Sequence, residues 1–427
     1  MKYFLSIMLL LFVVTSFNVQ SIFAEDWKIK GNAFVVPYLD GRDFLNETHP
    51  LTFTAMKLRL GVEKQVGNFT FNMALQTSKI FGDQANVVST AAPVYILEGY
   101  IKYDSIFNIP LSLTAGRQQI EYNDGRFLGT SPWSYIERAH DGFRLSYKEN
   151  NMFLDVFATK HTAIDASPSF NALPNAYPYP EAPYEDYDML GFWYANKFGD
   201  KKSNSGAHNL DLFTYWEVNA QKDNSNFTKL DRFTSGFYYQ WSINAFSAKA
   251  KMAYQYGTKG AKDVAASLIG VDVDYQVNED LGIGLGTEMF SGTSPTETQK
   301  INTFDDYFGR KHGFLGVMDY FAGARNSYMG LGVNDFYIEG KYQIHPKWSI
   351  SLTPHYFLSN QTSTSGKSDY GMEFDISLKY TLQKGIWIEW FNGLFMPGEL
   401  MKEMYQVGTK ERGDTGFSSY LRFNAAI

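Results

Sequence analysis

The sequence predicts an all-β fold: one outer-membrane β-barrel of about 18 antiparallel strands, with short periplasmic turns and long extracellular loops. Three observations carry this. Segments of about ten residues alternate apolar and polar positions along most of the chain. The connections between them are by turns short and long. Behind an N-terminal leader, no window approaches the ~18 apolar residues of a spanning helix.

The 427 residues carry a formal net charge of -7, no Cys, and 17% aromatic side chains. Without Cys there is no disulfide framework and no thiolate metal site. The acidic balance argues against a nucleic-acid partner. The aromatic content and the absence of helical periodicity fit a large barrel.

Met1–Ala24 reads as a signal peptide. Lys2 gives the positive start, Phe4–Val14 the apolar run, and Ser21-Ile22-Phe23-Ala24 the small residues before cleavage. Its removal deletes Lys2 and brings the charge to -7 - 1 = -8, leaving residues 25–427 as a single barrel domain.

The expected strands follow in order. Trp27–Tyr38 is the first. Thr52–Lys64 places Met56, Leu58, Leu60 and Val62 on one side, with Lys57, Arg59, Gly61 and Glu63 on the other. Phe69–Thr77 follows a tight turn at Val66-Gly67-Asn68 and turns Phe69, Phe71, Met73 and Leu75 outward. Pro93–Phe107 and Leu111–Gln119 pair across Asn108-Ile109-Pro110, and Ala139–Lys148 and Met152–Thr162 across Glu149-Asn150-Asn151. Asp186–Phe198 and Ala207–Ala220 flank a polar turn at 199–206. Arg232–Trp241 and Phe246–Gly257 meet at Ser242-Ile243-Asn244, and Ala265–Val277 and Leu281–Ser291 at Asn278-Glu279-Asp280. Leu331–Ile344 and Trp348–Ser359 join at His345-Pro346, and Tyr370–Leu382 and Ile386–Met396 at Gln383-Lys384-Gly385. Gly416–Asn424 closes the series.

Tyr370–Leu382 shows the pattern most clearly. Tyr370, Met372, Phe374, Ile376, Leu378, Tyr380 and Leu382 form one register; Glu373, Asp375, Ser377 and Lys379 form the other. Repeated along the chain with no helix to cover the apolar side, this places lipid outside and water inside. Hydrocarbon tolerates no open sheet edge, so the sheet closes. About 18 strands leave an aqueous channel. Long loops are expected at 39–51, 80–92, 120–138, 164–185, 292–330 and 397–415. Two of them, Pro174–Tyr187 and Asp305–Phe321, have the composition of surface loops and also of segments folded into the mouth.

The stretch Ala115–Leu145 holds four of the eleven Arg: Arg117, Arg126, Arg138 and Arg144. Arg138, His140 and Arg144 share a period-2 register opposite Phe143 and Leu145. Arg is a permanently charged, planar fork suited to carboxylates. These residues, with Arg59, are the expected pore lining. Arg117 shares its register with Leu111, Leu113 and Ala115, so it reaches the lumen only through a bulge at Gly116 or from above the membrane. The bland reading of Arg138 and Arg144 is that they pair with luminal carboxylates and satisfy the wall.

The stretch Gly116-Arg117-Gln118, Tyr122–Gly129, Trp133 and Arg138–Leu145 resembles the alginate-export family of outer-membrane porins, supported by Lys311-His312 and Gly316–Phe321. The resemblance implies an 18-stranded, monomeric barrel whose arginine-lined constriction passes an anionic polysaccharide. On that footing Arg117, Arg126, Arg138 and Arg144 are pore-lining candidates. Two features depart from the pattern. The inward register is mixed rather than basic, and the chain ends on Ile427 rather than an aromatic residue.

Other constellations are weaker. Gly282–Gly286 lacks the helix and Lys of a phosphate loop. Asp40–Asp43 and Asp272/Asp274 lack a full Ca²⁺-loop pattern. The seven His show no metal spacing, and no G-x-S-x-G is present. The expected function is an outer-membrane channel for an anionic solute, an acidic polysaccharide or a small organic anion, with no cofactor, metal or catalytic residue. The alternatives are a porin without anion preference, or a barrel enzyme or receptor.

Overall fold

The computed structural model describes residues 27–44, 50–83, 94–162, 185–221, 229–321, 330–405 and 413–427. The leader Met1–Ala24 and residues 174–184 of the proline-rich loop lie outside the described residues.

Eighteen long strands form one antiparallel barrel. They are β1 (Trp27–Gly41), β2 (Leu51–Val66), β3 (Phe69–Ile80), β4 (Val94–Tyr103), β5 (Leu111–Gln118), β6 (His140–Glu149), β7 (Met152–Thr162), β8 (Glu185–Asp200), β9 (Gly206–Gln221), β10 (Leu230–Ile243), β11 (Phe246–Lys259), β12 (Lys262–Gln276), β13 (Leu281–Phe290), β15 (Val333–His345), β16 (Trp348–Leu358), β17 (Asp369–Gln383), β18 (Ile386–Pro397) and β19 (Gly416–Ala426). The remaining strand, β14 (Lys300–Ile301), lies parallel beside β12 and crosses nothing. The sheet closes where β1 meets β19, with Phe34 opposite Asn424 and Tyr38 opposite Tyr420.

The alternation in the sequence becomes two faces. On β17, Met372 and Ile376 are exposed outward while Glu373 and Asp375 are buried inward. On β2, Leu58 and Leu60 face out, whereas Lys57 is buried inside. The strands therefore meet lipid with apolar side chains and the lumen with polar ones. Hairpin turns use residues that accept a left-handed backbone: Gly67, Asn150, Asn244 and Gly385 all have positive φ.

Three local details differ from the expectation. The strand expected to run to Phe107 ends at Tyr103, before a 3₁₀ turn at Ile106–Asn108. A short helix, α1 (Glu399–Met404), forms in the last long loop, and its Leu400 and Met401 are buried. The long loop side also contains a tight hairpin, between β11 and β12.

An apolar core lies inside the barrel. Residues 119–139 (between β5 and β6) and 291–321 (after β13) fold into the lumen, and Tyr122, Phe127, Leu128, Phe304, Phe308, Leu315 and Met318 are buried there against wall residues such as Trp193, Phe213 and Phe357. Burying each such side chain contributes roughly 1.5–3 kcal/mol. Folded polypeptide thus occupies part of the lumen.

Candidate functional site

The two inward loops are fastened to each other and to the wall by charged groups. Glu137 in the first loop is buried beside Lys57 of β2, whose Nζ lies 2.6 Å away, and it also accepts from Arg59. Val317 and Met318 in the second loop donate backbone N–H groups to Asp375 (2.9 Å) and Glu373 (2.8 Å) of β17. Arg310 N–H donates to Gly125 O at 2.8 Å, and Gly129 N–H to Phe308 O at 2.9 Å. Trp133 stacks on His312 at 3.9 Å, with an interplanar angle of 4°. His312 in turn is held by Asp319 at 2.9 Å.

Glycine permits this close approach. Gly125 takes φ 77°, and a Cβ on Gly129 would lie 2.5 Å from Gly125 O. Gly316 takes φ 81°, where a Cβ would lie 2.3 Å from a Glu373 carboxylate oxygen.

Arg126 does not line open water. Its side chain is 1% exposed and reaches Glu288 on β13 at 2.8 Å and Asp306 at 3.1 Å. Its guanidinium lies between Phe290 and Phe314, 4.7 and 4.8 Å from the ring centroids. Burial works to lower its pKa, but the two carboxylates hold it above the ordinary value.

Arg138 is a staple of a different kind. Its Nη atoms donate to the carbonyls of Gly129 (2.5 Å), Phe308 (2.6 Å) and Tyr307 (2.6 Å). No carboxylate pairs with it among the described residues, and burial pulls its pKa below the ordinary value. Arg138 precedes β6 rather than lying in it, so the expected shared register with His140 and Arg144 does not form.

Arg117 stays on the outer face. Gly116 has φ 125°, yet the pairing of β5 with β6 runs without a break from Leu111 to Gln118. Arg117 therefore keeps the parity of the lipid-facing Leu113. It donates to Asp141 at 2.8 Å and to Ile96 O at 3.0 Å.

His140 faces inward but not into water. It is 1% exposed, neither ring nitrogen has a hydrogen-bond partner among the described residues, and it packs against His161 and Phe308. Arg59 faces inward and is shared between Gln76 and Glu137. Of the expected residues, Arg144 alone borders the open luminal space, its nearest carboxylate Asp155 lying at 3.9 Å.

That space lies between the two loops and the short-turn end of the barrel. It includes two cavities, of about 510 and 750 Å³, which share Asp124 and Lys249 at their border. The larger also touches Arg144, Lys148 and Lys197; the smaller touches Arg310 and Arg422. Among the described residues, Lys148, Lys197, Lys249, Arg310 and Arg422 form no ion pair, so their donors stay available. The Arg422 guanidinium rests on Phe34, Trp133 and Trp387, at 5.2, 5.2 and 4.8 Å. Carboxylates line the same cavities, but several are engaged. Asp211 accepts from Trp193 Nε1 at 2.6 Å, Glu288 pairs with Lys251 at 2.7 Å, and Glu339 with Lys341 at 2.7 Å.

Arg422 could have been found from strand parity, since it shares its register with Ser418, Tyr420 and Asn424. Arg310 carries no such signal, because a loop has no period.

No metal-binding group of three or more His, Asp or Glu exists among the described residues. A model of the alginate-export family matches residues 46–327. No curated protein sequence matches. Among solved structures, the BenF-like porin of Pseudomonas fluorescens Pf-5 is similar at TM-score 0.60 and 11% identity, covering 95% of this chain and 99% of that one. OpdK, an outer-membrane protein of Pseudomonas aeruginosa, is similar at TM-score 0.58 and 10% identity, covering 94% and 98%. OccAB4 of Acinetobacter baumannii is similar at TM-score 0.56 and 11% identity, covering 94% and 99%.

Proposed function

The chain belongs to the alginate-export family of outer-membrane barrels, and from that premise we propose that it is a channel for an anionic solute, an acidic polysaccharide or oligosaccharide such as alginate. The observation that carries this reading is the set of cations around the periplasmic cavities: Lys148, Lys197, Lys249, Arg310 and Arg422, which form no ion pair among the described residues, and Arg144, whose one carboxylate contact, to Asp155, is 3.9 Å long. A carboxylate-bearing chain finds spare donors there, and a narrow low-dielectric throat concentrates counter-ions. The selectivity surface in this reading is the periplasmic vestibule. It replaces an arginine ring at the waist, since Arg126 and Arg138 are consumed in holding the loops. No catalytic step is needed.

The test is a planar-bilayer measurement of reversal potential across a KCl gradient, with alginate oligomers added to one side. Anion preference is expected, together with current block by the oligomers. The double substitution Arg144→Ala and Lys249→Ala should reduce both. Cation preference unmoved by that substitution overturns the proposal.

A second reading keeps the anion and shortens it. The inward loops leave cavities of about 510 and 750 Å³, which suit a small organic anion. The similar barrel OpdK has been crystallised with vanillate, an aromatic carboxylate. Permeation of such an acid without block by alginate oligomers selects this reading.

A further inference from the structure

The second inward loop is a partition between two spaces. Below it lies the luminal cavity of about 510 Å³, bordered by His312 and by the chain as far as Val317. Above it, at the long-loop end of the barrel, lies a pocket of about 330 Å³. Asp40 and Arg42 at the top of β1 border that pocket, together with Met318, Asp319 and Tyr320. The chain passes from one border to the other between Val317 and Met318.

A clasp closes the turn between these borders. His312 Nδ1 lies 2.9 and 3.0 Å from the two Asp319 carboxylate oxygens, so a residue of the lower space holds a residue of the upper one. Trp133 of the first loop lies flat on the same imidazole, 3.9 Å from its centroid. Arg422, which borders the luminal cavity, sits over that indole at 5.2 Å. Arg422, Trp133, His312 and Asp319 thus form one column of contacts from the luminal cavity to the mouth pocket.

The two ends of the turn are held differently. Met318 is fixed to the wall: its N–H donates to Glu373 at 2.8 Å, and its carbonyl accepts from Arg42 Nη1 at 2.6 Å. Beside it the Tyr320 hydroxyl donates to Arg42 O at 3.1 Å. At the His312 end, Gly313 is exposed, has φ 83°, and has open space where a Cβ would stand. Between them Leu315 and Asp319 take left-handed φ of 58° and 60°, which residues with side chains rarely adopt. Strained backbone of this kind clusters in switch regions. An anchored end, an unobstructed glycine and a strained clasp residue are the parts of a moving element.

We propose that the Trp133–His312–Asp319 contact is the gate between the luminal cavities and the outside, and that it opens when His312 swings off Trp133 about Gly313. The proposal rests on the reading of the chain as a channel. Stack and clasp are made by side chains of two loops, so opening requires no strand to move. A carboxylate drawn to Arg422 meets the inner side of this gate.

The chain contains no Cys, so the double variant Trp133→Cys/His312→Cys carries two thiols and no others. The full-length variant is reconstituted in planar bilayers in KCl, and a short bis-methanethiosulfonate is added. Loss of both rings is expected to raise mean conductance several-fold over wild type. Bridging the thiols should lower it several-fold, and dithiothreitol should restore it. Asp319→Asn, which keeps the size of the clasp residue and removes its charge, should lengthen the open times with Trp133 and His312 in place. Heat-modifiable gel mobility confirms folding. A bridge seen by mass spectrometry that leaves the current unchanged overturns the proposal. An equal block in either single-cysteine variant also overturns it, because added bulk rather than a fastened loop then stops the ions. Absence of current in wild type and in every variant, bridged or reduced, overturns the channel reading itself.

Discussion

Arg126 donates to Glu288 at 2.8 Å from the opposite side of the lumen, with 1% of its side chain exposed. A loop that leaves the wall after β5 is thereby tied to β13. The same guanidinium holds Asp306, so one residue joins two loops and the barrel. A charge spent in this way has little left for a passing solute.

Arg126→Ala should destabilise the luminal plug. Breaking a buried pair from one side costs about 3–5 kcal/mol, because the abandoned charge stays buried. Here Lys251 remains 2.7 Å from Glu288 and Lys311 3.1 Å from Asp306, so the lower end of that range is expected. Urea unfolding of the protein in detergent micelles should show the loss.

Arg138→Ala should alter gating rather than selectivity. Three carbonyls from the two loops converge on this side chain. Hydrogen bonds to a charged group contribute about 1.5–3 kcal/mol. Their loss should loosen residues 307–309 from residue 129. Single-channel records should become noisier, with larger mean conductance and an unchanged reversal potential.

The sequence made the wall legible and left the plug mostly illegible, for one physical reason. A strand in a barrel has lipid on one face and water on the other, so its period of two is written in every residue. Glu373 and Ile376 could be placed on opposite faces by parity, as could Arg117 and Arg144. A loop folded into the lumen has no period. Arg126 and Arg138 look like free charges until Glu288, Asp306 and the carbonyls of residues 307 and 308 are brought to them from far along the chain. His140 misled in a related way. Parity correctly turned it inward, but the inward face at that height is packed with Phe308 rather than water.

Arg117→Ala should leave ion selectivity unchanged, in contrast to Arg144→Ala. The two residues stand on neighbouring strands with opposite parity. Arg117 pairs with the exposed Asp141 outside the barrel, while Arg144 borders the luminal cavity. Reversal potentials of the two variants, measured in the same KCl gradient, should separate. Equal shifts would place Arg117 in the ion path and contradict the register of β5.

Gly313→Ala and Gly316→Ala should differ, although their backbones are alike. Both glycines have left-handed φ, 83° and 81°, so either alanine costs roughly 1–2 kcal/mol in backbone strain. A Cβ at Gly313 meets nothing within 4 Å, whereas a Cβ at Gly316 would lie 2.3 Å from a Glu373 carboxylate oxygen. That carboxylate accepts the Met318 N–H at 2.8 Å, so displacing it undoes the contact that docks the second loop. Limited proteolysis should therefore cut residues 302–321 faster in Gly316→Ala than in Gly313→Ala, with both barrels still folded by gel mobility. Equal cutting rates would show that backbone strain alone decides how this loop is held.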